Sequence, residues 1–152
     1  MIDLLLINGV VVTMGPDRAM LEDGAVAIDG QRIVAVGPTD EIAAAYQARR
    51  TINCRGKAII PGLIDAHGHG GHSLVKTLGS DSPSVWMHII TPTYFHFTTP
   101  EFWYVDGLVS ALERVRAGVT TGVNVIASMP RSDDPIYGNN HARAYAETGI
   151  RG

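Results

Sequence analysis

The residues best placed to do chemistry lie in the run Ile59-Ile60-Pro61-Gly62-Leu63-Ile64-Asp65-Ala66-His67-Gly68-His69. An apolar stretch ends in the carboxylate of Asp65, and His67 and His69 follow at alternate positions. Alternate residues of an extended strand point to the same side. A strand continuing through this run therefore puts Asp65, His67 and His69 together. Two imidazoles so placed can close on a single divalent metal; nitrogen donors admit zinc, iron or nickel, with zinc the default. His67 and His69 are thus the candidate metal ligands. Asp65 can orient one of them as a carboxylate partner or bond to neighbouring backbone, and the sequence leaves both roles open. Two donors make half a site, because zinc normally takes three or four protein ligands.

The other histidines are weaker candidates. His72, His88 and His96 fall in a long stretch, 67–98, that also carries Trp86 and Tyr94. His72 stands nearest the pair, so it and Trp86 are the candidates for contact with a ligand or substrate, and Trp86, Tyr94, Phe95 and Phe97 can also pack this stretch onto the fold. His141 reads as structural, and Cys54 as a small core residue.

Strands and helices must position these groups. Residues 1–60 read as β-rich. An apolar run over 4–13 is broken by the turn signal Asn8-Gly9, and 25–28 and 32–36 flank Asp29-Gly30 as a hairpin. A short helix over 41–49 has Thr39 or Asp40 as its cap, and strand returns over 51–54 and 57–60 around Arg55-Gly56. The segment reads as a small sheet domain of hairpins.

From Leu63 the pattern becomes strand, loop, helix, strand. Residues 63–66 read as a buried strand, and 67–98 as a loop too long to be idle. Thr99-Pro100-Glu101 starts a helix whose apolar face is Phe102, Val105, Leu108, Val109, Leu112 and Val115, and Gly118 ends it. Residues 119–126 read as a second buried strand, 128–138 as a loop, and Asn139 or Asn140 as the cap of a helix closed by Gly149. Residues 150–152 begin another strand. Alternating strands and helices imply parallel β/α units.

The chain has 152 residues, 45% of them hydrophobic and 18% charged, enough to build a packed core. Its net charge is −3, and the 12 Lys and Arg residues are scattered, which argues against nucleic acid as a partner. A single cysteine allows no internal disulfide, and no run reaches the roughly 18 apolar residues of a membrane span. The chain therefore reads as cytoplasmic, without a membrane partner.

Three stretches carry a resemblance: Lys57 through His69, then Glu113-Arg114-Val115-Arg116-Ala117-Gly118-Val119-Thr120-Thr121-Gly122, then Ala142-Arg143-Ala144-Tyr145-Ala146-Glu147-Thr148-Gly149-Ile150-Arg151. In order and spacing they resemble the N-terminal part of the amidohydrolase superfamily of metal-dependent hydrolases. The stretch around Trp86 leans toward its deaminase and chlorohydrolase branch. The resemblance implies an α/β fold: an N-terminal β-sandwich segment over 1–60, then over 61–152 the first two β/α units of an incomplete TIM (β/α)₈ barrel. It implies hydrolysis of a non-peptide C–N bond, such as deamination of a cyclic small-molecule substrate, by water that the metal makes acidic. A homo-oligomeric parent enzyme fits the same reading. In such enzymes a histidine from the fifth strand and an aspartate from the eighth complete the ligand set, and a histidine from the sixth assists. A whole barrel takes about 250 residues, so no catalytic residue is expected within this chain, which reads as an N-terminal fragment inactive alone. The alternatives are a non-catalytic remnant or binding module and, among enzymes, a dihydroorotase- or hydantoinase-like cyclic amidase or a chlorohydrolase.

Overall fold

Asn8 and Gly9 do not turn the chain; they bend a strand that runs on. In the computed structural model, which describes residues 1–79, 81–126 and 130–152, β1 spans Ile2–Val12. Asn8 takes φ 59°, and the pairing with the next strand slips between Leu6 and Gly9. The turn signal has become a bulge. Its Asn8 N–H donates to Thr39 Oγ1 at 3.0 Å.

β2 (Met20–Asp29) pairs antiparallel with β1, and β3 (Arg32–Pro38) pairs antiparallel with β2 across a turn in which Gly30 has φ 57°, as Asp-Gly predicts. The helix α1 (Thr39–Ala45) ends earlier than its Ala-rich sequence suggests and has no side-chain cap. Thr39 has given its hydroxyl to the bulge, and Asp40 accepts from the adjacent Glu41 N–H instead. β4 (Ala48–Asn53) and β5 (Ala58–Ile59) both run parallel to β1, so the segment is a mixed sheet of order β3-β2-β1-β4 and not a set of hairpins. Ile2, Leu5, Ala25, Ala27 and Ile42 form its core, and Cys54 is buried.

The chain divides into two compact units, Met1–Pro61 and Gly62–Gly152. In the second, β6 (Leu63–His69) continues through both histidines. The predicted loop 67–98 is partly helical: α2 (Pro83–Val85), a π-helical turn over Trp86–Ile90, and α3 (Thr91–His96). Ser82 caps this run by accepting from Val85 N–H at 3.3 Å, with Pro83 behind it. The wide turn, in which Thr91 N–H reaches the Trp86 carbonyl, comes just before Pro92, which has no N–H to give.

α4 (Pro100–Arg116) starts and stops as predicted: Thr99 Oγ1 accepts from Phe102 N–H at 3.2 Å, and Gly118 follows with φ 83°. Its buried face is not the apolar stripe. Trp103, Asp106, Gly107, Ser110 and Ala111 are buried, whereas Val105, Leu112 and Val115 are exposed. The small residues let another helix come close. That helix is α5 (Ile136–Thr148), which begins before Asn139 with Asp134 Oδ1 accepting from Ile136 N–H at 3.0 Å. Asn140 instead donates its side-chain amide to the Pro100 carbonyl at 2.9 Å. The loop read over 128–138 thus gives way to helix at Ile136, and its first two residues, Ser128 and Met129, lie outside the described residues.

β7 (Val119–Val125) pairs parallel with β6, and Thr121 bridges Arg151 in parallel, so residues 150–152 do approach the sheet. Neither strand is buried as expected: Ile64 is 71% exposed and Val123 57%. α4 and α5 pack on one side of this sheet, through Ala111, Tyr145 and Ile150 beside Val119. No helix among the described residues is long and apolar enough to cross a membrane.

A Cβ at Gly107 would stand 3.0 Å from Ala144 Cβ and 3.0 Å from His141 Nδ1. Gly107→Val should therefore overpack the α4–α5 contact and lower stability by about 1–3 kcal/mol, read as a lower urea midpoint. An unchanged midpoint would contradict this packing.

Candidate metal centre

The strand that carries the histidine pair is not regular. Asp65 pairs with Gly122 and Gly68 with Asn124, so three steps along β6 match two along β7. One residue bulges out, and the alternation of sides is reset. A Cβ at Gly68 would lie 3.2 Å from Asp65 Oδ2 and would run into Arg114 of α4. Position 68 therefore shares the helix side with Asp65, and His67 and His69, on either side of it, face the other way. The expectation that Asp65, His67 and His69 share a side is corrected by that one extra residue.

The pair itself converges. His67 Nε2 and His69 Nε2 lie 3.2 Å apart. Two nitrogen ligands about 2.0–2.1 Å from a tetrahedral zinc stand about 3.3 Å from each other. The separation matches that spacing, and it is also the length of an N–H···N hydrogen bond between the two rings. Among the described residues no group of three or more His, Cys, Asp or Glu side chains gathers to hold an ion.

Of the two roles open to Asp65, the structure shows the bond to neighbouring backbone and no bond to either imidazole among the described residues. Its Oδ1 accepts from the His67 N–H at 3.3 Å, and its Oδ2 accepts from Arg114 Nε at 2.9 Å. The Arg114 guanidinium holds the Asp65 carboxyl below the ordinary carboxylate value. Arg114 is in turn held by Ser110 Oγ and by the Tyr145 hydroxyl at 2.5 Å, and that hydroxyl donates to Asn124 Oδ1 at 3.3 Å.

Of the other candidates, His72 and Trp86 join the pair. The His69 and His72 rings stack at 5.4 Å, His72 stacks on Tyr94 at 4.7 Å, and Trp86 meets His72 edge-on at 5.0 Å. Burial, then the neighbouring His69, push the His72 pKa down. Tyr94 is buried, and its hydroxyl pKa is pushed up by that burial. His88 is taken by the Ser84 carbonyl at 2.8 Å, and His96 lies against Phe97; neither joins the ladder of rings.

Known proteins resemble this architecture. Residues 24–46 match the family model of the bacterial imidazolonepropionase-like composite domain. The 5-methylthioadenosine/S-adenosylhomocysteine deaminase of Syntrophobacter fumaroxidans is 41% identical over 123 residues, 78% of this chain and 27% of that protein. A deaminase of the same name from Syntrophus aciditrophicus is 28% identical across 99% of this chain and 32% of its own. An adenosine deaminase from Xanthomonas campestris, solved with bound zinc, superposes with a TM-score of 0.83 at 31% identity, over 99% of this chain and 33% of that one. An atrazine chlorohydrolase variant from Arthrobacter aurescens, solved with zinc and atraton, gives 0.77 at 26%, over 97% and 34%. The chain belongs to the amidohydrolase superfamily. It spans between about a quarter and a third of the length of these relatives.

This amidohydrolase chain also uses residues that sequence reasoning passed over. Asp106, fully buried on α4, accepts from Gly71 N–H at 2.8 Å and Leu74 N–H at 2.9 Å, just beyond the histidine pair. Arg114 sat inside a recognised motif without a role. The signal was available: Asp106, Ser110 and Arg114 recur every four residues, a polar stripe on one helix face. His141, 2% exposed, makes no well-formed hydrogen bond at either ring nitrogen.

Burial pushes His141 below the ordinary histidine value of 6.5; the Asp106 charge opposes this, and the Arg114 charge adds to it. As pH falls below about 6.5, the unfolded chain takes up a proton there that the folded chain refuses, so stability drops. Asp106, raised by burial, has the opposite sign, its contribution being lost as pH rises above 3.8. Denaturation midpoints should fall between pH 7 and 5.5, and less steeply in His141→Gln. An equal slope in the variant would remove His141 as the cause.

Proposed function

We propose that this chain supplies part of a metal-dependent amidohydrolase that removes an amino group from a purine-like ring by hydrolysis. The observation that carries the reading is the 3.2 Å convergence of His67 and His69 at the end of β6. His67 and His69 would hold a divalent ion, zinc by default, through their Nε2 atoms, with the further donors coming from residues beyond these 152. When bound, such an ion supplies Lewis acidity and makes water acidic enough to act as a nucleophile near neutral pH.

This chain's own residues do the rest of what falls to them. Asp65 fixes the backbone of His67, and His72 packs on the outer face of His69. Trp86, edge-on to His72, walls the same side with apolar surface, which suits a flat heterocycle. The names of the deaminase relatives support an adenosine-like substrate. The composite-domain match at 24–46 and the boundary after Pro61 support residues 1–60 as the β-sandwich part and 61–152 as the opening of the barrel. A cytoplasmic enzyme with a small-molecule substrate fits this reading.

A second reading, hydrolytic dechlorination, is favoured by the likeness to the atrazine chlorohydrolase. The test is made on the full-length protein with 5′-methylthioadenosine, adenosine and a chlorotriazine, reading ammonia and chloride release beside zinc content. Ammonia release that disappears together with bound zinc in His67→Ala and His69→Ala is expected. Chloride release alone would select the second reading. Undiminished zinc in both variants would contradict the ligand assignment.

A further inference from the structure

We propose that helix α4 clamps the histidine-bearing segment from both ends, with Arg114 and Asp106 as positioning residues that decide which side of the sheet His67 and His69 face. The inference rests on those two histidines being ligands.

The two grips lie on one face of one helix. Asp106 and Arg114 are eight residues apart, about 12 Å along the axis, with Ser110 between them. At the near end Arg114 holds Asp65, and Asp65 holds the His67 N–H. At the far end Asp106 takes the N–H groups of Gly71 and Leu74. Trp103, one turn before Asp106, lies against Gly71, whose φ is 88° and where a Cβ would stand 2.5 Å from the indole. The segment from Asp65 to Leu74 is therefore fixed on both sides of the pair.

What the clamp prevents is a change of register. Side chains on a strand alternate, so a slip by one residue carries each of them to the other face. A β6 paired regularly beyond Asp65 would turn His67 and His69 toward α4 and place them among its side chains. The bulge turns them away, and the bulge survives because the Asp65 carboxylate bonds both the backbone two residues on and a guanidinium that has no freedom of its own. Arg114 is only 16% exposed and is shared among Asp65, Ser110 and Tyr145. Lysine has one compact cation in place of this fork and can restore only part of it.

The test is zinc affinity of the full chain, measured by competition with a chromophoric chelator, beside the imidazole ¹H–¹⁵N spectrum and the far-UV spectrum. His67→Ala and His69→Ala report on the ligand reading. Arg114→Met and Asp106→Asn report on the clamp, with Arg114→Lys as the conservative replacement. Zinc binding should weaken about 10–100-fold in Arg114→Met with the far-UV spectrum preserved, recover in part in Arg114→Lys, and weaken in Asp106→Asn. Wild-type affinity in Arg114→Met, with binding lost in the histidine variants, would overturn the clamp and leave the ligands standing. Wild-type affinity in the histidine variants would overturn both. If Arg114→Met does not fold, Asp65→Asn decides: it keeps an oxygen for the His67 N–H and removes the charge that Arg114 holds. Weakened zinc binding there supports the clamp, and unchanged binding overturns it.

Discussion

One carboxylate holds the geometry on which this chain's chemistry depends. Asp65 accepts a backbone N–H two residues ahead and a guanidinium from the neighbouring helix, and between these bonds β6 takes in one extra residue. A bulge of this kind is an irregularity that an unsupported strand would smooth away. Here it is stabilised by charge-assisted hydrogen bonds in a half-buried setting, where they are stronger than in open water. Its result is local and specific: two imidazole nitrogens 3.2 Å apart, turned away from the helix layer. Gly68 belongs to the same arrangement, since any side chain there would meet Arg114.

The helix that supports this strand turns a mixed face toward its neighbours. Among the described residues α4 buries Trp103, Asp106, Gly107, Ser110 and Ala111, while Val105, Leu112 and Val115 lie outside that contact. Close approach explains it. Gly107 and Ala111 admit α5, and the polar members of the face are needed to grip the strand and the turn after it. A buried carboxylate such as Asp106 is tolerable because two backbone N–H groups meet it. The face that is chemically useful is thus the one that hydrophobic patterning ranks second.

Much of this was legible in the sequence where local rules decide. The Asp29-Gly30 hairpin, the Thr99-Pro100 helix start and the Gly118 and Gly149 ends follow from short-range chemistry, and the parallel pairing of β6 with β7 from the alternation of strand and helix. So did the strand running through His67 and His69. The readings that failed needed partners distant in sequence. Asn8-Gly9 became a bulge because Thr39 lies there to receive its N–H, and for the same reason Thr39 did not cap α1. The helical run 83–96 carried the same cap signal as Thr99-Pro100, but its glycine- and proline-rich surroundings masked it. The spacing of Asp106, Ser110 and Arg114 showed a polar helix stripe, but not what Arg114 grips, because its partners Asp65 and Tyr145 lie 49 and 31 residues away.

The most direct test of this account is the anomalous difference map of zinc-soaked crystals at the zinc absorption edge. A single peak about 2.0–2.1 Å from both His67 Nε2 and His69 Nε2, with the bulge at residues 65–68 intact and Arg114 on Asp65, is the predicted result. Zinc bound elsewhere, at His88 or His96 for example, or a regular β6 with the two imidazoles turned toward α4, would contradict it.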